Sequence, residues 1–310
     1  MPITPAASRE NNPSTRHPGA ELSSVEEAYT HCLRMAREHY ENFPVASRLV
    51  PRNLRGPVAA VYAFAREADD FADEPRHAGS RMALLDDWGD RLERAVAGEA
   101  RDPVFVALSD TLRRFHLPAD PFRDLLSAFR QDAVKSRYED WEEVMDYCRR
   151  SANPVGRLVL LLFGHREESL APLSDSLCSA LQLTNFWQDL AVDARRGRLY
   201  VPRADRDRHA VIEDAFFSGE APRLPGFLPL MDEMVSRTEA LFERGRDLPE
   251  RIGGRLGFEL RLTWLGGRRI LEATRRAGFD VYRARPSLGI ASWVPLLLRA
   301  CFRLAPARGG

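Results

Sequence analysis

Two stripes of carboxylates carry the residue types and spacing that suit chemistry in this sequence. Between Val58 and Asp73 an apolar helix turns acidic. Tyr62, Arg66, Asp69, Asp70 and Asp73 fall within an arc of roughly 80–100° while the remaining faces stay apolar. Carboxylates crowded on a buried face repel one another unless they share a cation. Between Leu181 and Asp193, the residues Gln182, Asn185, Asp189 and Asp193 step by three, four and four along a helix, flanked by Leu, Phe and Trp on its other faces. Two such helices facing each other would offer hard oxygen ligands to magnesium, which favours octahedral oxygen coordination and shares its shell with phosphates. One D-x-x-x-D alone is more often a solvated helix face. Two stripes on two strongly apolar helices favour a shared site.

Asp86-Asp87-Trp88-Gly89-Asp90 repeats the D-D-x-x-D pattern of Asp69 to Asp73 and serves as an internal control. In that segment Leu84, Leu85, Trp88, Leu92 and Val96 form the apolar stripe, which leaves Asp86, Asp87 and Asp90 toward solvent beside Arg91 and Arg94. This copy is expected at the surface.

The elements that must position these stripes are helices throughout. Ser23 and Ser24, each followed three residues on by Glu26 or Glu27, open a first helix that runs to about Tyr40. Apolar periodicity then predicts helices over 53–75, 80–98, 103–116, 121–138, 140–164 with a break near Pro154, 172–195, 207–218, 226–247, 256–278 and 286–304. No strand is expected. No internal repeat or long linker divides the chain, so one all-α domain over 21–288 follows. A Pro-, Ser- and Asn-rich disordered tail at 1–20 precedes it, and a C-terminal helix at 289–310 closes it.

The chain has 310 residues, with 45 acidic against 45 basic. That balance provides no global field for nucleic acid or an anionic membrane, so any anion site must be local. Cys32, Cys148, Cys178 and Cys301 lack paired spacing and read as buried thiols of a reducing compartment. No signal peptide is apparent, and a cytoplasmic protein is expected. Ile290 to Leu304 is the most apolar run but is interrupted by Pro295, Arg299 and Arg303. It reads either as a core-packing helix or as an interfacial helix in peripheral contact with a membrane.

These motifs resemble the squalene/phytoene synthase family, whose second aspartate motif ends in Arg-Gly-Arg and an aliphatic-aromatic-Pro sequence, as Asn185, Asp189, Asp193 and Arg196-Gly197-Arg198-Leu199-Tyr200-Val201-Pro202 do here. The match begins at His39-Tyr40-Glu41-Asn42-Phe43, passes Tyr62, Arg66 and the first aspartates, continues at Asp132, Arg137, Tyr138, Tyr147-Cys148 and Val155-Gly156, and fades after Ile270-Leu271 and Gly278-Phe279-Asp280-Val281. The resemblance implies an isoprenoid-synthase-type fold of helices around a central cavity. Magnesium would bridge Asp69, Asp70, Asp73, Asn185, Asp189 and Asp193 to the diphosphate of an isoprenoid substrate. It also implies substrate contacts from His39, Asn42, Phe43, Tyr62, Arg66, Gln182, Gln188, Arg198 and Tyr200, with Arg66 and Arg198 as diphosphate clamps. Tyr147 matches a tyrosine expected at the reacting centre.

Three departures from the family pattern narrow the expectation. Asn153 stands where Gly is frequent, Gln188 where Arg is frequent, and Gly267 where an aromatic residue is frequent. Fewer phosphate-binding charges and an amide able to hold water resemble the bacterial hopanoid-pathway branch, which converts presqualene diphosphate into hydroxysqualene by water capture. Asn153 is then the expected water-holding residue. The alternatives are head-to-head condensation of two prenyl diphosphates to presqualene diphosphate, squalene or phytoene, or a non-catalytic assembly factor of the same fold, which the retained aspartates disfavour. Downstream enzymes of the isoprenoid pathway are candidate partners.

Overall fold

A computed structural model describes residues 24–38, 50–283, 285–286 and 300. The tail at 1–20, the candidate contacts His39, Asn42 and Phe43, Cys301 and the proposed C-terminal helix lie outside the described residues, apart from isolated positions of that helix.

Fourteen α-helices are present among the described residues: α1 Val25–Glu38, α2 Arg52–Asp73, α3 Arg81–Val96, α4 Pro103–Phe115, α5 Asp120–Val134, α6 Trp141–Ser151, α7 Asn153–Leu162, α8 Ala171–Gln188, α9 Leu190–Arg195, α10 Arg203–Arg208, α11 Glu213–Ser218, α12 Phe227–Arg244, α13 Leu248–Ile252 and α14 Gly254–Arg276. Among the described residues no helix is long and apolar enough to cross a membrane. The expected capping box opens α1: Glu27 N–H donates to Ser24 Oγ at 3.2 Å and Ser24 N–H to Glu27 Oε2 at 3.0 Å.

The core has two lobes, one built around α2 and the other around α8. Around α2, Phe64 packs edge-on against Phe105 and Phe122, and the Trp88 indole N–H donates to Phe64 O at 3.2 Å. Such an indole bond fixes rotation as well as depth, so it holds one face of α2 against α3, α4 and α5. Gly56 lets α1 approach closely, since an added Cβ would come within 2.8 Å of the Tyr29 ring. Around α8, Trp187 donates to Thr238 Oγ1 on α12 at 2.9 Å. Gly267 of α14 lies against Leu181 and Phe242, where a Cβ would come within 2.6 and 2.8 Å of their side chains. Leu181 and Phe242 occupy the space that an aromatic residue at position 267 would need.

Several boundaries differ from expectation. The helix expected over 172–195 is interrupted at Asp189, with φ −99° and ψ 10°, and resumes as α9. Asp193 N–H still donates to Asp189 O at 2.8 Å, so both carboxylates stay on one side of the chain. The helix expected over 121–138 ends at Val134, because the segment after it pairs with the chain beyond α9. Leu199 N–H donates to Ser136 O at 3.0 Å, and an isolated parallel bridge joins Arg137 to Leu199. The stretch 207–218 divides into α10 and α11 around Ala210.

Candidate active site

The C-terminal end of α2, the α8–α9 junction, the end of α5 and the loop after α9 converge on a cleft of about 320 Å³. Asp69, Asp73, Tyr147, Gln182, Asn185, Asp189, Asp193, Arg198 and Tyr200 all line it, so Asp69 and Asp73 of the first stripe and all four residues of the second face one space. Gly197, with φ +75°, turns the chain after α9 in the left-handed region that glycine adopts without strain. That turn lets Arg198 fold back, its N–H donating to Asp193 O at 2.8 Å.

The electrostatics of the cleft show carboxylates under strain. Burial first and the neighbouring Asp73 next push the Asp69 carboxyl up to about 6. Burial and Asp189 push Asp193 up to about 7, and burial pushes Asp132 up to about 7. Arginines offset part of this charge: Arg198 pairs with Asp73, Arg196 reaches the same carboxylate at 3.4 Å, and Arg285 pairs with Asp189 through both its Nε and, at 3.0 Å, its Nη2. Crowded carboxylates interleaved with arginines suit a polyanion that arrives with cations, since each Arg can exchange a carboxylate for a phosphate once metal takes the carboxylate. The carboxylates of Asp69, Asp73, Asp189 and Asp193 and the Asn185 amide are hard oxygen donors of the kind that suit magnesium. Among the described residues, no group of three His, Cys, Asp or Glu side chains forms a metal cage by itself.

Other expected contacts fall elsewhere. Asp70 is held by Arg66 at 2.6 Å within α2, and neither residue lines the cleft. Arg66 therefore makes the intrahelical pair that i,i+4 spacing allows rather than a clamp aimed into the cleft. Tyr62 is half-buried on α2 and is also absent from the cleft wall. Gln188 is buried and donates through Nε2 to Pro286 O, because its position on α8 faces the chain after α14 and not the aspartates. Asn153 is likewise buried, its Oδ1 accepting from Ser179 Oγ at 2.9 Å, so its amide ties α7 to α8 and does not line the cleft. The Asp86 copy is at the surface as expected, with Asp86 paired to Arg130 at 2.9 Å and Asp87 to Arg91 at 2.7 Å.

Sequence reasoning missed Asp132 and Arg285 as site residues. Tyr147 donates its hydroxyl to Asp132 Oδ2 at 2.7 Å, while Asp132 Oδ1 is buried with no hydrogen-bond partner among the described residues. A single carboxylate near the end of α5 makes no stripe, and its signal is only its place in the match to the family, which assigned it no role. Arg285 lies 96 residues from Asp189 and carries no local signal. Beneath Tyr147, Phe186 stacks on Tyr200 with ring centroids 3.7 Å apart and planes 4° from parallel. This gives the cleft an aromatic wall able to face a cation.

A second cavity, about 340 Å³, opens between α2, α7, α8, α13 and α14 and is almost wholly apolar, with Val58, Val159, Leu177, Leu181, Leu256 and Leu260 in its walls. Helix α8 lines both spaces: Leu181 faces the apolar cavity, and the next residue, Gln182, faces the polar cleft.

Comparison with known proteins agrees with this geometry. The family model for squalene/phytoene synthase matches residues 36–291. The chain is 38% identical to the hydroxysqualene synthase of Rhodopseudomonas palustris, over 74% of this chain and 77% of that protein. It is 30% identical to the 15-cis-phytoene synthase of Synechococcus elongatus, over 92% of this chain and 94% of that protein. The crystal structure of squalene synthase HpnC from Alicyclobacillus acidocaldarius superposes with a TM-score of 0.78 at 45% identity, covering 82% of this chain and 95% of that one.

Proposed function

The chain belongs to the squalene/phytoene synthase family, whose members act on prenyl diphosphates, and from that premise we propose that it ionises presqualene diphosphate and captures water on the rearranged cation, giving hydroxysqualene. The observation that carries this reading is the double role of α8, which lines a polar cleft and an apolar cavity at adjacent residues. A substrate with a diphosphate head and prenyl arms needs that juxtaposition.

Asp69, Asp73, Asn185, Asp189 and Asp193 are the residues that would hold magnesium. When bound, the ion supplies positive charge to the departing diphosphate oxygens. Arg198, Arg196 and Arg285 exchange their carboxylate partners for those oxygens, so the carbon–oxygen bond breaks with its electron pair leaving on diphosphate. The stacked Tyr200 and Phe186 rings and the Tyr147 ring face the carbocation and exclude bulk water. Asp132 Oδ1 accepts a hydrogen bond from one admitted water, whose oxygen bonds to the cation and whose proton passes to the Asp132 carboxylate. Tyr147 holds that carboxylate in place through Oδ2. Gln188, turned toward Pro286, leaves the cleft without an added cation there, in keeping with one diphosphate handled at a time.

Head-to-head condensation of two prenyl diphosphates is the second reading, favoured by the long match to a phytoene synthase. Supplying farnesyl, geranylgeranyl and presqualene diphosphates separately with magnesium and identifying the products separates the two. The proposal expects an alcohol from presqualene diphosphate and little product from the others. Rapid conversion of farnesyl or geranylgeranyl diphosphate would favour condensation.

A further inference from the structure

The last residue of α8 and the residue that breaks it both grip the chain that follows α14. Gln188 donates through Nε2 to Pro286 O. Arg285 donates through Nε to Asp189 Oδ1 and through Nη2 to Asp189 Oδ2, the latter at 3.0 Å. Consecutive side chains of an unbroken helix point about 100° apart, yet at this break two of them meet consecutive residues of one segment. The result is a two-point clasp. Upstream, the same chain is anchored by the buried Phe279 and Val281 and by the Tyr282 hydroxyl, which donates to Phe216 O at 2.9 Å. Anchors therefore lie on both sides of Arg285 in sequence.

The Arg285 side chain itself stays open to water. It is 51% exposed, whereas Arg198, the partner of Asp73, is 14% exposed. An ion pair open to solvent on one side is weak, because water competes for its charges. Its fork nevertheless covers both carboxylate oxygens of Asp189, the atoms through which that residue would meet a magnesium ion. Arg285 and the metal cannot both hold them. With the backbone already fixed by its neighbours, only the arginine side chain must turn to give Asp189 up.

We propose that Gln188 is a positioning residue: by holding Pro286 it sets Arg285 on Asp189 as a removable counterion, which hinders magnesium alone and turns onto diphosphate oxygens when metal and diphosphate arrive together. Binding of the two ligands is thereby coupled, since the cation displaced by the first is the one that the second uses. The inference rests on the prenyl diphosphate reading of the cleft.

The test is titration calorimetry of the full chain and of Arg285→Gln and Gln188→Met, first with magnesium chloride alone and then with inorganic pyrophosphate at saturating magnesium. Arg285→Gln is expected to bind magnesium alone roughly threefold more tightly, the scale of one solvent-open ion pair. It is expected to bind pyrophosphate roughly tenfold more weakly, the scale of one charge-assisted hydrogen bond. Damage to the fold would weaken both, so the opposite signs are the signature. Gln188→Met keeps the side-chain length without the N–H donor and is expected to move both affinities in the same two directions by less. Gln188→Asn, which falls one methylene short of Pro286 O, takes its place if Gln188→Met does not fold. An Arg285→Gln chain that gains no magnesium affinity, or loses no pyrophosphate affinity, would overturn the inference alone. Wild-type affinities in the Gln188 variant beside a split in Arg285→Gln would overturn the positioning role. Failure of the wild-type chain to bind pyrophosphate with magnesium would overturn the substrate reading with it.

Discussion

At the scale of single residues, environment separates aspartates that share one pattern. Asp73 and Asp87 both belong to a D-D-x-x-D run, yet Asp73 faces a cleft with Asp69, Asp193 and Arg198, whereas Asp87 makes an exposed pair with Arg91 on α3. Exposed pairs of that kind contribute about 0–1 kcal/mol. Replacing Asp69, Asp73, Asp189 or Asp193 with Asn is therefore expected to lower kcat by at least about 100-fold, the scale seen when one group stabilising a developing charge is removed. Far-ultraviolet circular dichroism should be unchanged. Asp87→Asn should leave both activity and dichroism near wild type, and a loss of activity there with Asp73→Asn silent would reverse the assignment of faces.

At the scale of elements, the cleft depends on helices held at fixed separation. Gly156 of α7 sits where an added Cβ would come within 2.5 Å of both Cys178 Sγ and Ser174 Oγ of α8. Gly156→Ala should push the two helices apart and destabilise the fold by about 1–3 kcal/mol, read as a lower urea midpoint at unchanged slope. Helix α12 is tied to α10 and its C-cap by Glu233, which accepts from His209 Nε2 at 2.8 Å and pairs with Arg208 at 2.7 Å and with Arg237. The His209 hydrogen bond first, and the two arginines with it, hold the Glu233 carboxyl down to about 2 from its ordinary 4.5. A depressed carboxyl stabilises the fold above its unfolded value and loses that contribution as pH falls through its folded one. The Tm advantage of wild type over Glu233→Gln should accordingly be present above about 4.5 and shrink toward about 2. A constant difference across that window would show that the network does not titrate.

The elements also mark what was legible in the sequence and what was not. The step from Gln182 to Asn185 to Asp189 to Asp193 survives the break at Asp189, because helical hydrogen bonding resumes across it and the stripe needs only that periodicity. The break itself was not legible, since Leu190 and Ala191 continue the apolar pattern. The end of α5 at Val134 was hidden for a different reason: the segment after it pairs with residues beyond α9, a tertiary preference that local propensity does not contain. Asn153 and Gln188 were recognised as unusual, but their partners Ser179 and Pro286 are set by packing, so their roles could not be assigned from spacing.

At the scale of the molecule, the two lobes of the core place α2 and α8 on opposite sides of one cleft, and α8 extends from that cleft into the apolar cavity. The account's central claim is that this arrangement ionises a prenyl diphosphate and ends by adding water to the resulting cation. The most direct measurement is mass spectrometry of the product formed from presqualene diphosphate and magnesium in oxygen-18 water, with no nicotinamide cofactor present. The account predicts an alcohol that carries the heavy isotope in its hydroxyl group, and loss of that product in Asp73→Asn. A hydrocarbon product, or an alcohol whose oxygen is unlabelled, would contradict it.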